Sequence, residues 1–207
     1  PVLKIKRQKE PIVLINAFTN EEVKKMMNSY NDNDFLSIRN RAILAMLFNT
    51  GIRCSELCGI KVDGIQEGYI NINGKGKKLR RVPITPILYK YMIKYNRIRE
   101  QRFKDSYFFD YDFYFLSRTG RRLTVEAIER IISKAGEMAG VRKEIRCSPH
   151  TARHYYAQAQ LKNGIDVYSL SRLLGHSNIN ITKRYLQSIQ DEDVVKKAVK
   201  CSPLMSL

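Results

Sequence analysis

The chain has 207 residues, enough for one substantial hydrophobic core or two small ones. Apolar residues make up 43% and aromatics 10%, which excludes disorder by composition. Lys and Arg number 37 against 20 Asp and Glu, a net charge of +17, so the expected partner is a polyanion bound with release of its counterions. Charge alone does not separate DNA from RNA or anionic lipid. No apolar run approaches the roughly 18 residues of a membrane span, and Pro1 opens no signal-peptide pattern, so no membrane role is expected.

Residues 1–18 show no clear period and are read as an incoming linker. Thr19 and Glu22 have capping-box spacing and predict a helix to about Tyr30. A second helix is predicted from about Phe35 to Asn49, ended by Gly51, and a short one around Ser55 to Ile60. Tyr69 to Asn73 alternates Ile70 and Ile72 with polar residues; Gly74-Lys75-Gly76-Lys77-Lys78 turns the chain, and Leu79 to Ile84 returns as the second strand of a hairpin. Thr85-Pro86 is a cap followed by proline at the first helical position, opening a helix to about Gln101.

The aromatic stretch from Asp105 to Leu123 carries a Thr119-Gly120 turn and suggests a short hairpin. Thr124 caps a helix to about Ala139, Ser148-Pro149 opens one to Asn163, Asp166 caps one to Leu174, and another is expected from Asn178 to Gln187. The tail 189–207 carries a weak apolar stripe of Val194, Val195, Ala198 and Val199. The expected fold is mainly α with a small antiparallel β-sheet, its main domain spanning 19–188.

Cys54, Cys58, Cys147 and Cys201 lack both a secretion signal and a second close pair, so they read as reduced thiols rather than a zinc site. All three histidines, His150, His154 and His176, fall in the last third. His150 and His154 lie four apart, as in a zinc-binding HExxH helix. That chemistry needs an acid between them, and Ala152-Arg153 stands there instead. A cation beside a metal is unfavourable and beside a phosphate favourable, so the string points to anion binding, with Arg153 as a bidentate phosphate clamp. Arg53 is a second such candidate, with Glu56 three residues on to orient it. GKGKK lacks the spacing of a nucleotide-binding P-loop, and its plain alternative is a flexible basic turn on a DNA backbone.

Four strings in order, TGIRCSEL (50–57), GKGKKLRRVPIT (74–85), HTARH (150–154) and LLGHSNINITKRYL (173–186), resemble those of the tyrosine recombinase, or phage integrase, family. The resemblance runs from about Phe18 to Leu186. It implies a recombinase that cuts and rejoins DNA through a 3′-phosphotyrosine, with no cofactor and no metal. Arg53 resembles the family's first arginine and Glu56 its supporting acid. Lys75 resembles the general acid, with Lys77 and Lys78 on the same turn. His150 and Arg153 resemble the H-x-x-R pair, His154 the position beside it, His176 the third-box histidine, and Tyr185 the nucleophile, whose proton His150 is expected to take. Lys77, Lys78, Arg80, Arg81, Lys183 and Arg184 are the expected DNA-backbone cations.

The resemblance further implies a catalytic domain over 19–188, reached from an N-terminal DNA-binding domain through the linker 1–18, with double-stranded DNA as partner, a tetramer of two dimers on it, a tail docking on a neighbouring subunit, and a cytoplasmic, nucleoid-associated protein of bacterial or phage origin. A type IB topoisomerase-like enzyme and a non-catalytic basic DNA-binding module remain the alternatives.

Overall fold

Side-chain caps set the start of most helices. The computed structural model describes residues 15–74, 79–106, 109–189, 194–195 and 198–199. Thr19 accepts from the Glu22 amide at 3.2 Å while Glu22 accepts from the Thr19 amide at 2.8 Å, a complete capping box that starts α1 (Asn20–Asn28). Asp34 caps α2 (Phe35–Thr50), Thr85 caps α4 (Pro86–Phe103), Thr124 caps α5 (Val125–Met138), Ser148 caps α6 (Pro149–Lys162) and Asp166 caps α7 (Val167–Leu174). Between α2 and α4 lie the short helix α3 (Cys54–Cys58) and three strands, β1 (Ile65–Gln66), β2 (Tyr69–Asn73) and β3 (Leu79–Pro83), paired antiparallel in that order. The expected fold class is the one observed.

Three local outcomes differ from expectation. Strand β1 was not anticipated, being only two residues long. The segment from Asn178 does not form one helix: α8 (Ile179–Lys183) gives way to a 3-10 helix at Arg184–Ser188. The expected hairpin in the aromatic stretch is, among the described residues, an isolated Leu116–Arg122 bridge.

Two apolar clusters hold these elements. The larger joins α1, α2, α4, α5 and the sheet, with α2 packing against both α4 and α6. Ala17 and Phe18, at the end of the segment read as a linker, are buried, and the carbonyl of Ile15 accepts from Gln158 Nε2 at 2.7 Å. The smaller cluster consists of Tyr156, Ala157, Leu161, Leu170, Leu174 and Tyr185. Helix α6 belongs to both clusters: Ala152 and Tyr155 pack on the large one, Tyr156 and Ala157 in the small one. It therefore sets the position of α7 and Tyr185 relative to the rest of the molecule. No helix among the described residues is long and apolar enough to cross a membrane.

The end of α2 is tied to this arrangement by Gly51, in the left-handed region at φ 59°. A Cβ there would strike the ring of Tyr156, so the close approach of α2 and α6 needs glycine. Gly51→Ala is expected to lower stability by at least about 1 kcal/mol from the backbone alone, with the ring clash adding to it. Urea denaturation measures this; an unchanged midpoint would show that the contact relaxes without cost.

Candidate active site

The site is organised by the C-terminal end of α7. An α-helix leaves its last carbonyls without intrahelical partners. Gly175, at φ 66°, lets the chain turn back so that its own amide donates to Arg172 O at 3.1 Å and the His176 amide to Ser171 O at 3.0 Å. The carbonyls that remain are taken by arginines from three other elements. Arg80 Nε donates to Leu173 O at 2.8 Å, and Arg153 Nη2 to Leu174 O at 2.7 Å. Arg53 reaches the same Leu174 O at 3.5 Å through Nη1, and Gly175 O at 3.2 Å through Nη2. Cations at the negative end of a helix are favourably placed.

One carboxylate balances this cluster. Glu56 Oε1 accepts from Arg53 Nη1 at 3.0 Å and Arg80 Nη1 at 2.7 Å; Oε2 accepts from the Arg53 amide at 2.8 Å and Arg80 Nη2 at 2.6 Å. Burial pushes the Glu56 carboxyl up, but hydrogen bonds from Arg80 and from the Arg53 amide outweigh it and hold the pKa below the ordinary value. Glu56 thus accepts from both Arg53 and Arg80. Arg80 had been grouped with Arg81 as a DNA-backbone cation, yet all three of its nitrogens are engaged inside the protein. Strand parity explains the difference. Arg80 pairs with Ile72 and shares the inner face with Val82, whereas Arg81 is exposed and lies over the Tyr69 ring at 4.6 Å.

Arg153 is only 4% exposed, and its Nη1 donates to Gly51 O at 2.7 Å. Burial first, then the neighbouring Arg53 charge, lower its pKa to about 10, so it stays cationic at neutral pH. A guanidinium has five N–H donors, so two carbonyls do not exhaust it.

His176 follows Gly175, and its Nδ1 lies 2.8 Å from Thr182 Oγ1. Burial, then Arg153, Arg53 and Arg80, lower its pKa to about 4 and keep the ring neutral. Arg53, Glu56, Arg80, Arg81 and His176 line one open cleft of about 1260 Å³.

Tyr185 does not line that cleft. It is 3% exposed, packed in the small apolar cluster, with its hydroxyl 2.8 Å from His154 Nδ1. Burial raises the phenol's pKa, against the pull of Arg153 and Arg184. His154 therefore occupies the place at the phenol for which His150 was the first candidate. His150 is exposed, its ring centroid 5.9 Å from that of His154. The two are one helical turn apart, so the sequence does not tell which faces Tyr185. Burial and the nearby His150 and Arg153 charges lower the His154 pKa to about 4. Lys183 and Arg184, which immediately precede Tyr185, are exposed, while Lys75, Lys77 and Lys78 lie outside the described residues. No group of three His, Cys, Asp or Glu able to hold a metal occurs among the described residues.

The Glu56 pairing has a pH signature. Its depressed pKa stabilises the folded state above the ordinary glutamate range, and that contribution is lost as pH falls through the folded-state value. The stability gap between wild type and Glu56→Gln is expected to be constant near neutrality and to shrink on acidification, as read by urea denaturation across pH. A gap independent of pH would contradict the ion-pair account.

Residues 16–192 match the phage integrase family. The chain is 31% identical over 206 residues to tyrosine recombinase XerD of Listeria innocua serovar 6a, covering 95% of this chain and 67% of that protein. It is 33% identical over 186 residues to tyrosine recombinase XerC of Thermodesulfovibrio yellowstonii, covering 88% and 60%. Among solved structures, XerA recombinase matches with a TM-score of 0.75 at 27% identity, over 97% of this chain and 68% of the other. XerH bound to its palindromic difH substrate matches in fold, with a TM-score of 0.74 at 23% identity, over 89% and 53%. The family match runs through every element that supplies the arginine cluster, His176 and Tyr185, and the chain belongs to the phage integrase family, the tyrosine recombinases.

Proposed function

We propose that this chain is the catalytic region of a site-specific DNA recombinase that cleaves and rejoins DNA through a covalent bond between Tyr185 and a backbone phosphate. The observation that carries the reading is the convergence of Arg53, Arg153 and His176 on the end of α7, where His176 meets Thr182 of α8, the helix that runs into the segment bearing Tyr185. Family membership supports it, and the matched relatives are themselves named tyrosine recombinases.

A phosphodiester's negative charge repels an oxygen nucleophile. In this reading the two guanidinium groups and the His176 ring stabilise the charge that grows on the non-bridging oxygens as the phosphorus is attacked. The Tyr185 oxygen bonds to phosphorus, its proton passes to His154, and the bond to the 5′ oxygen breaks. Lys75 protonates that leaving oxygen. The phosphotyrosine conserves the bond energy, so the reverse attack by a 5′ hydroxyl rejoins the strand. A DNA phosphate beside the cluster adds the negative charge that raises the pKa of His154 and His176 from about 4.

Burial of the phenol assigns a further step. The Arg184–Ser188 segment has to carry Tyr185 out of the small apolar cluster to reach a phosphate in the cleft. Its 3-10 geometry, with poorer hydrogen bonds than an α-helix, suits a segment that rearranges. Arg81, Lys183 and Arg184 are exposed and available to DNA backbone.

Around this core, the reading includes a DNA-clamping domain leading in through the linker 1–18, a tetramer of two dimers on DNA, and action in the bacterial or phage-infected cytoplasm. Val194, Val195 and Val199 are more than half exposed, which supports docking of the tail on a neighbouring subunit.

Incubation with a randomised pool of nicked duplexes, followed by denaturing electrophoresis, tests the proposal. Wild type is expected to form a covalent adduct that Tyr185→Phe abolishes. Arg153→Ala should lower its formation by about a hundredfold or more, the cost of losing one charge-stabilising donor, with bulk DNA affinity largely kept. An adduct that survives Tyr185→Phe would sink the assignment of the nucleophile. DNA binding without an adduct across the pool would favour the binding-module alternative.

A further inference from the structure

His176 has two ring nitrogens, and only one can carry the proton when the ring is neutral. Which one decides whether the ring offers the cleft a donor or an acceptor. The partner that settles this is Thr182, on α8, 2.8 Å from Nδ1. Thr182 is fully buried. A helical threonine commonly back-bonds to the carbonyl four residues earlier; here, among the described residues, His176 Nδ1 is the one hydrogen-bond partner of Thr182 Oγ1.

The hydroxyl proton therefore has one acceptor to go to, the Nδ1 lone pair. If Nδ1 instead carried hydrogen and donated to Oγ1, the buried hydroxyl proton would be left unpaired, at a cost of about 1–3 kcal/mol. The doubly protonated ring would face the same orphaned hydroxyl. It is also opposed by burial and by Arg153, Arg53 and Arg80, which lower the His176 pKa to about 4.

We propose that Thr182 is a positioning residue for His176: its hydroxyl donates to Nδ1, fixes the neutral ring with hydrogen on Nε2, and aims that N–H at the cleft. The inference rests on the recombinase reading for its catalytic consequence, since an N–H donor is what a phosphate oxygen requires and a bare lone pair would repel it. It also gives the segment between the histidine and the nucleophile a function. Thr182 lies three residues before Tyr185, so the group that orients the donor sits on the stretch leading directly into the one that bears the phenol.

Two measurements test it on the full chain. With three histidines in the sequence, long-range proton–nitrogen correlation spectra of nitrogen-15-labelled protein resolve each ring, and His176→Gln assigns the relevant signals. At neutral pH, wild type and Thr182→Ser are expected to show an unprotonated Nδ1 and a protonated Nε2. The reverse pattern, or a ring protonated on both nitrogens, overturns the proposal.

In adduct formation on the selected nicked duplex, Thr182→Val keeps the shape and removes the donor. It should slow cleavage about tenfold to a hundredfold, the range for losing a partner that orients a functional histidine. DNA affinity should stay within about twofold, because many other cations share the backbone. Thr182→Ser should restore the rate. Wild-type cleavage by Thr182→Val overturns the proposal, as does failure of serine to rescue in a folded protein. If wild type itself forms no adduct, the recombinase reading fails while the nitrogen spectra still decide the proton's position.

Discussion

Three guanidinium groups meeting the carbonyl end of one helix is the arrangement on which the site depends. Arg53 comes from the turn before α3, Arg80 from β3 and Arg153 from α6, and all three donate to carbonyls at Leu173, Leu174 or Gly175. Each bond satisfies a carbonyl the helix cannot satisfy itself, so local chemistry of α7 draws distant parts of the chain together. Like charges held this close repel. Glu56 is the carboxylate that counters them, taking four donors from Arg53 and Arg80. The positive charge left over is what a phosphate would neutralise.

The same geometry explains why structure and chemistry are hard to separate here. Gly175 has to be glycine for its left-handed turn. Its absent side chain also leaves room for Arg80, whose Nη1 would lie 3.0 Å from a Cβ. Leu174 packs in the small apolar cluster while its carbonyl serves two arginines. Tyr185 is likewise a core residue in this state and the assigned nucleophile in the proposed reaction. Substitutions at these positions act on folding and on charge placement together, so conservative variants discriminate better than alanine.

Much of the fold was legible in the sequence because it is written in local signals. The Thr19, Thr85, Thr124, Ser148 and Asp166 caps, the glycine ending α2 and the alternation of Ile70 and Ile72 each act within a few residues. Signals that depend on tertiary partners were not legible. No local rule says that Arg184–Ser188 tightens into 3-10 geometry, or that His154 rather than His150 meets the phenol. Arg80 is an intermediate case. Its parity with Val82 puts it on the inner face of β3, although it was expected among the DNA-backbone cations together with Arg81. The partner that makes an inward arginine tolerable, Glu56, lies 24 residues away.

The central claim is that these groups share one phosphate. A crystal structure of the chain with a nicked duplex selected for adduct formation tests it most directly. The account predicts one backbone phosphate within hydrogen-bond distance of Arg53, Arg153 and His176 Nε2, with the Tyr185 oxygen opposite the leaving 5′ oxygen. A duplex bound across another face, with the three groups touching no phosphate, would contradict it.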